Sequence, residues 1–250
     1  MTDASPQDLD PGLSGRRFLY TQPELLTPEQ HGGLGLRTPE APYAFAAEAE
    51  AVPLTVTEFR SAQRHFPIVF TGGEQPMPLA ITGLGGRNLF VDEEGRWDPL
   101  AYVPAYLRCH PLALATAQNE QFAVVLDRSS PAVSEDPEVP FFENGTLTEG
   151  MRERIRFCQA YDGEVERTRT FCQRLRELDV LAMQSVGRDV EGQREDIARY
   201  GAVEPKRLQG VEAAALANLR DDGSLAAIFA HFFSLDLWNE LLRRQAQRTG

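Results

Sequence analysis

Four acids, Asp92, Glu93, Glu94 and Asp98, surround Arg96 and Trp97 in the segment VDEEGRWDPL. Two carboxylates in different environments can divide general-acid and general-base work, one keeping its proton while the other stays ionised. Asp92, Asp98 and Arg96 are therefore the candidate catalytic residues. A second chemistry joins His65 and His110, each placed directly before a proline, to Asp92 or Asp98. Two histidines and one carboxylate form a donor set for non-haem iron or another divalent metal, and such ligands can come from distant segments. The HxD spacing of many such oxygenases is absent. If the segment binds rather than reacts, Trp97, Arg96, Tyr102 and Tyr106 are the candidate contact residues. Each feature also has a structural reading. β-Turns recruit Asp, Glu and Gly for their conformation, a histidine ending a helix meets the negative end of its dipole, and a tryptophan anchors a core.

The motifs that are missing narrow the chemistry. There is no GxxxxGK[ST], no GxGxxG after a strand, no HExxH, no GxSxG and no paired CxxC. No cofactor is expected, apart from the divalent metal of the alternative just described. The net charge of −12 argues against nucleic acid and anionic membrane surfaces, which select basic patches. Lys206 is the lone lysine among 25 basic residues. Cys109, Cys158 and Cys172 form no framework and fit a reducing compartment. Cys158 and Cys172 are expected on one helix, about 21 Å apart at 1.5 Å rise per residue. The acidic start MTDASPQDLD lacks a signal peptide's basic and apolar regions. Asp236, Glu240 and the terminal arginines interrupt the one apolar C-terminal run. The expectation is a cytoplasmic protein with no membrane span.

These residues need elements to position them. Residues 1–16 read as a disordered tail, and the ordered part as one α+β domain over 17–250. From Thr21 to Pro42 prolines and glycines predict a wrapping loop, followed by a short strand at Tyr43–Ala46. Thr55 and Glu58 spell a capping box for a helix running to His65, with Leu54 and Phe59 as its staple, and Pro67 stops that helix. Strands follow at Ile68–Phe70, Leu79–Thr82 and Asn88–Val91, the last two joined through Gly83–Gly86. A short helix from Pro104 ends at His110, and Phe122–Leu126 reads as a central strand. A long helix runs from Thr146 or Thr148 to Leu178. Its buried face is Met151, Ile155, Cys158, Tyr161, Val165, Thr168, Cys172, Leu175 and Leu178, while its arginines and glutamates, Arg167 and Arg174 among them, lie on a solvated face. Leu181–Val186 and Ile197–Val203 suggest a hairpin, although Asp189–Arg199 also reads as a loop. Helices close the chain at Val211–Leu219 and Ser224–Gln245, the second with an apolar stripe of Leu225, Ile228, Phe229, Phe232, Leu235, Trp238 and Leu242, and with His231 inside it. The resulting fold class is a mostly antiparallel sheet covered by the long helix and the C-terminal helices.

The order of short motifs carries a resemblance. AVPL, EF, FPIVF, GG, NLFVDEEGRW and YVPAYLRCHP over Ala51–Pro111, then FFENG, ERTRTFCQRL at Glu166–Leu175 and AHFFSLDLWNEL at Ala230–Leu241 resemble the bacterial SapC family over about residues 18–242. That family is linked to surface-layer secretion and serum resistance, with members beside TonB-dependent receptors and flavin-dependent halogenase-like proteins. The resemblance implies a cytoplasmic accessory or binding protein of a bacterial surface, export or uptake pathway, acting on a peptide or protein partner. It brings no catalytic residues with it. The alternative is the metal-dependent, oxygenase-like enzyme using His65, His110 and the Asp92–Asp98 turn.

Overall fold

A computed structural model describes residues 17–116, 122–190 and 193–249. The expected tail at 1–16 and the tip of the 181–203 hairpin lie outside the described residues. In chain order the elements are β1 (Pro23–Leu25), α1 (Pro28–His31), β2 (Gly35–Leu36), a 3-10 turn at Ala44–Ala46, β3 (Ala51–Pro53) and a 3-10 turn at Val56–Glu58 that runs into α2 (Phe59–Ala62). Then come β4 (Ile68–Phe70), β5 (Pro78–Ile81), α3 (Ala105–Cys109), β6 (Leu112–Thr116), β7 (Phe122–Asp127), β8 (Val133–Ser134), β9 (Val139–Pro140), β10 (Phe142–Glu143) and β11 (Thr146–Leu147). The long helix α4 spans Glu149–Glu177, followed by β12 (Leu181–Val190), β13 (Gln193–Val203), α5 (Pro205–Gln209), α6 (Ala213–Asp221), α7 (Ser224–Ser234), a 3-10 turn at Leu235–Leu237 and α8 (Trp238–Thr249).

The α+β class and the antiparallel pairing follow the sequence. The strands, however, are shared among separate sheets rather than gathered into one. The residues group into two compact units. The first comprises residues 1–47, 91–98 and 105–163, and the second 48–90, 99–104 and 164–250, so α4 contributes a part to each. In the first unit β7 lies between β1 and β6, as its unbroken apolar run predicts. Leu34, Leu36, Leu112, Leu114, Leu126, Phe141, Met151 and Cys158 form that unit's core. In the second unit a five-stranded sheet has the order β12-β13-β4-β5-β3. Phe59, Phe66, Ile68, Phe70, Leu219 and Ile228 are buried there, each at most 1% exposed.

Several local expectations change. Tyr43–Ala46 is no strand: Ala44–Ala46 winds into a 3-10 turn, with the amide of Tyr43 donating to the Gly95 carbonyl. The capping box stands, with Glu58 accepting from the Thr55 amide at 2.8 Å and the Thr55 hydroxyl at 2.9 Å. The α-helix it opens nevertheless ends at Ala62, and His65 lies in the turn beyond. Asn88–Val91 makes isolated bridges, Gly83 to Asn88 and Val91 to Trp97, instead of a strand. The 181–203 segment is a hairpin, with a register shift at Val186/Gly187. One run, Ser224–Arg248, contains a window of mean hydropathy 1.2, long and apolar enough by composition to cross a membrane, with 33% of that window buried.

Candidate functional site

The Asp92–Asp98 turn is built for its conformation. Asp92 accepts from the Arg96 amide at 2.7 Å and the Arg96 Nε at 3.1 Å, and Arg96 also reaches Glu94 at 3.0 Å. The Arg96 amide foremost, helped by its guanidinium, holds the Asp92 carboxyl below its usual range. Gly95 takes φ +71°, and a Cβ there would sit 2.7 Å from the Ala41 Cβ, so glycine is required. Trp97 is buried with its ring 5.7 Å from that of Tyr43. Tyr106 is buried and donates to the Phe18 carbonyl, while Tyr102 donates to Glu58 at 3.0 Å. Of the four candidate contact residues, Arg96 alone is largely exposed, at 60% of its side chain.

The two histidines have different surroundings. His65 belongs to the second unit and His110 to the first. His110 stacks on Phe45 with ring centroids 3.8 Å apart and meets Asp127 at 3.3 Å through Nε2. Asp127, which sequence reasoning missed, is 2% exposed. Its carboxylate also accepts from the amides of Thr21 and Gln22 at 3.0 Å each, from the Ser129 amide at 3.2 Å and from the Ser129 hydroxyl at 2.7 Å. Burial pushes the Asp127 carboxyl upward, but the Ser129 hydroxyl, the two amides and His110 outweigh it and hold it below the usual range. Burial lowers His110 against the pull of Asp127. This is a neutral histidine on a satisfied carboxylate, tying the Thr21–Gln22 segment to the end of β7. Among the described residues no group of three or more His, Cys, Asp or Glu side chains is placed to hold a metal ion.

A concave feature lies in the second unit. A groove of about 910 Å³ runs between the Val56–Ala62 helical segment, the 167–174 stretch of α4, and α7. Each wall is fixed by polar contacts from its own sequence. The Thr55–Glu58 box opens the first wall, and the Val56 amide donates to the buried Thr168 hydroxyl of α4 at 2.9 Å. Thr168 in turn donates to the Glu164 carbonyl at 2.6 Å. Gly223 starts α7 at φ +83°, a left-handed conformation that favours glycine. Asp222 accepts from the Ser224 amide at 2.9 Å and pairs with Arg174.

α7 is locked from its inner face. His231 Nδ1 donates to the Ile68 carbonyl at 2.7 Å, and its Nε2 accepts from the Val203 amide at 3.1 Å. The ring is neutral, and burial pushes its pKa down to about 4. Ser234 accepts from the Ile68 amide at 2.9 Å and donates to the His231 carbonyl at 2.6 Å. This inner face buries small and polar side chains, Ala227, Ala230, His231 and Ser234, along with Ile228. Phe229 and Phe233 are left outside at 45% and 65% exposure. Phe229 belongs to the apolar stripe expected from the sequence, and Phe233 does not.

Phe59 and Phe171, both buried, line the groove with their rings 6.0 Å apart at 90°. Arg60, Arg167 and Arg174 stand around it, with Asp222 as the acid in the lining. The arginines read as part of a solvated helix face thus border an apolar cleft. Every lining residue belongs to a helix, a helical turn or a helix cap.

A family model described as SapC matches residues 26–241, most of the chain. The chain belongs to the SapC family. No curated protein and no solved structure matches it. The SapC match takes in the Asp92–Asp98 turn, the His110–Asp127 pair and the whole lining of the groove.

Proposed function

We propose that this SapC-family chain is a cytoplasmic accessory protein of a bacterial surface, export or uptake pathway, and that it binds a peptide or protein partner through the groove of its second unit. The observation that carries the reading is the exposure of Phe229 and Phe233 beside the groove, at 45% and 65%. A contiguous apolar cleft with polar residues around it marks a binding surface rather than an incidental exposed side chain. In the turn at Asp92–Asp98, by contrast, Arg96 is paired with Asp92 and Glu94 of the same turn. Three free, buried cysteines favour a reducing compartment.

We read the Ser224–Arg248 run as a packed part of the second unit, its start up to Phe233 a groove wall, rather than a span. Its inner face meets the sheet through His231 and Ser234, hydrogen bonds that a membrane-inserted helix would forfeit. The test is affinity purification from host cells with the native chain and with Phe229→Glu/Phe233→Glu, both checked for folding by circular dichroism. A partner held by the native chain and lost with the double variant supports the reading. Equal recovery by both overturns it.

A further inference from the structure

The groove's lining constrains the shape of what it takes. An extended peptide adds to a protein by pairing with an open sheet edge, and no strand contributes to this lining. The walls are helices and helix caps, and their free amides at Val56 and Ser224 are taken by the Thr168 hydroxyl and the Asp222 carboxylate, so recognition must run through side chains. Three helical walls around an apolar floor match the helix-in-groove mode, in which residues at i, i+3, i+4 and i+7 of an amphipathic helix fill the cleft.

Charge selects among helices. The whole chain carries 37 acidic and 25 basic residues. The lining inverts that balance, setting Arg60, Arg167 and Arg174 against Asp222. Arg167 lies 3.4 Å from Glu164, and Arg174 pairs with Asp222. Both pairs are at least partly solvent-exposed and worth little, so the guanidiniums are available to exchange partners. Guanidinium groups favour carboxylates, which they meet in paired hydrogen bonds.

We propose that the groove takes an acidic amphipathic helix of a partner protein, its apolar side on Phe229 and Phe233 and its carboxylates on Arg60, Arg167 and Arg174. This rests on the reading that the groove is the partner site and adds the partner's chemistry to it. A membrane surface is a poorer occupant: the site is concave, and the chain's charge of −12 opposes anionic lipid.

The test is selection of the full chain against a displayed library of 14-residue amphipathic helices whose polar positions are randomised. Phe233→Glu serves as the negative control, and vesicles of anionic phospholipid run in parallel. The expected result is enrichment of net-acidic sequences whose binding falls at least tenfold with Phe233→Glu, at least tenfold with Arg60→Glu/Arg167→Glu, and again on raising the salt. Enrichment of neutral or basic helices that Phe233→Glu still abolishes would refute the acidic partner while leaving the groove as a binding site. No sequence enriched over the control, or capture of the chain by vesicles alone, would refute both.

Discussion

Phe233 stacks on Phe229 one helical turn away, ring centroids 6.3 Å apart at 26°, with both rings turned to solvent. A helix on the surface of a folded protein normally points its large apolar residues inward. Here α7 buries Ile228 and His231 among the small residues Ala227, Ala230 and Ser234, and presents two phenylalanines outward. Because these rings contribute little to the core, Phe233→Glu should change unfolding free energy by no more than about 0.5 kcal/mol, measured by urea titration. A loss of several kcal/mol would mean that Phe233 is a core residue and not a contact surface.

His231 makes stability depend on pH. Its folded pKa of about 4 lies below the ordinary value of 6.5. As pH falls the unfolded chain takes up the proton first, so the contribution is complete above about 6.5 and is lost as pH drops towards 4. Over that window the loss should approach about 3 kcal/mol. The His110 ring, also lowered, acts in the same direction. Urea midpoints from pH 7.5 to 4.5, compared between the native chain and His231→Gln, should show a flatter profile in the variant. Parallel profiles would remove His231 as the cause.

The Asp127 carboxylate satisfies three backbone amides, the Ser129 hydroxyl and His110 from a buried position. Asp127→Ala should cost about 3–5 kcal/mol, since it strands those donors in the interior. Asp127→Asn, which keeps the shape and part of the acceptor set, should cost less. Denaturant unfolding of both variants decides this. A loss below about 1 kcal/mol for the alanine variant would deny the carboxylate its anchoring role.

Trp97 and Arg96 are neighbours with opposite consequences. Trp97→Ala should destabilise by about 3–5 kcal/mol, as removal of a buried tryptophan does. Arg96→Ala removes exposed ion pairs and should leave the melting midpoint within error of the native value. Thermal unfolding separates the two, and a large loss at Arg96 would restore a structural or binding role to its guanidinium.

Local rules carried the sequence reading where one segment decides its own structure. The Thr55–Glu58 box, the strand after Pro67 and the buried face of α4 through Met151, Cys158, Thr168, Cys172 and Leu175 all follow from caps, prolines and period. Tertiary pairing was invisible. His110 finds Asp127 across the β6–β7 pair, and Tyr43–Ala46 winds into a turn because its first amide is claimed by Gly95. The groove was hidden for another reason: α7 is apolar around most of its circumference, so periodicity alone cannot say which stripe faces inward. The buried hydrogen bonds of His231 and Ser234 choose the side with the smaller residues. Phe229 and Phe233 are left outside, and the arginines of α4 become a rim.

The most direct measurement places a photo-crosslinking phenylalanine analogue at position 233 in host cells, with the same analogue at Leu100, which is 86% exposed, as the control. Position 233 should give a discrete crosslinked partner, attached through a net-acidic helical segment and absent when Arg60→Glu/Arg167→Glu is also present. The same diffuse background at both positions would contradict the assignment of the groove as the partner site.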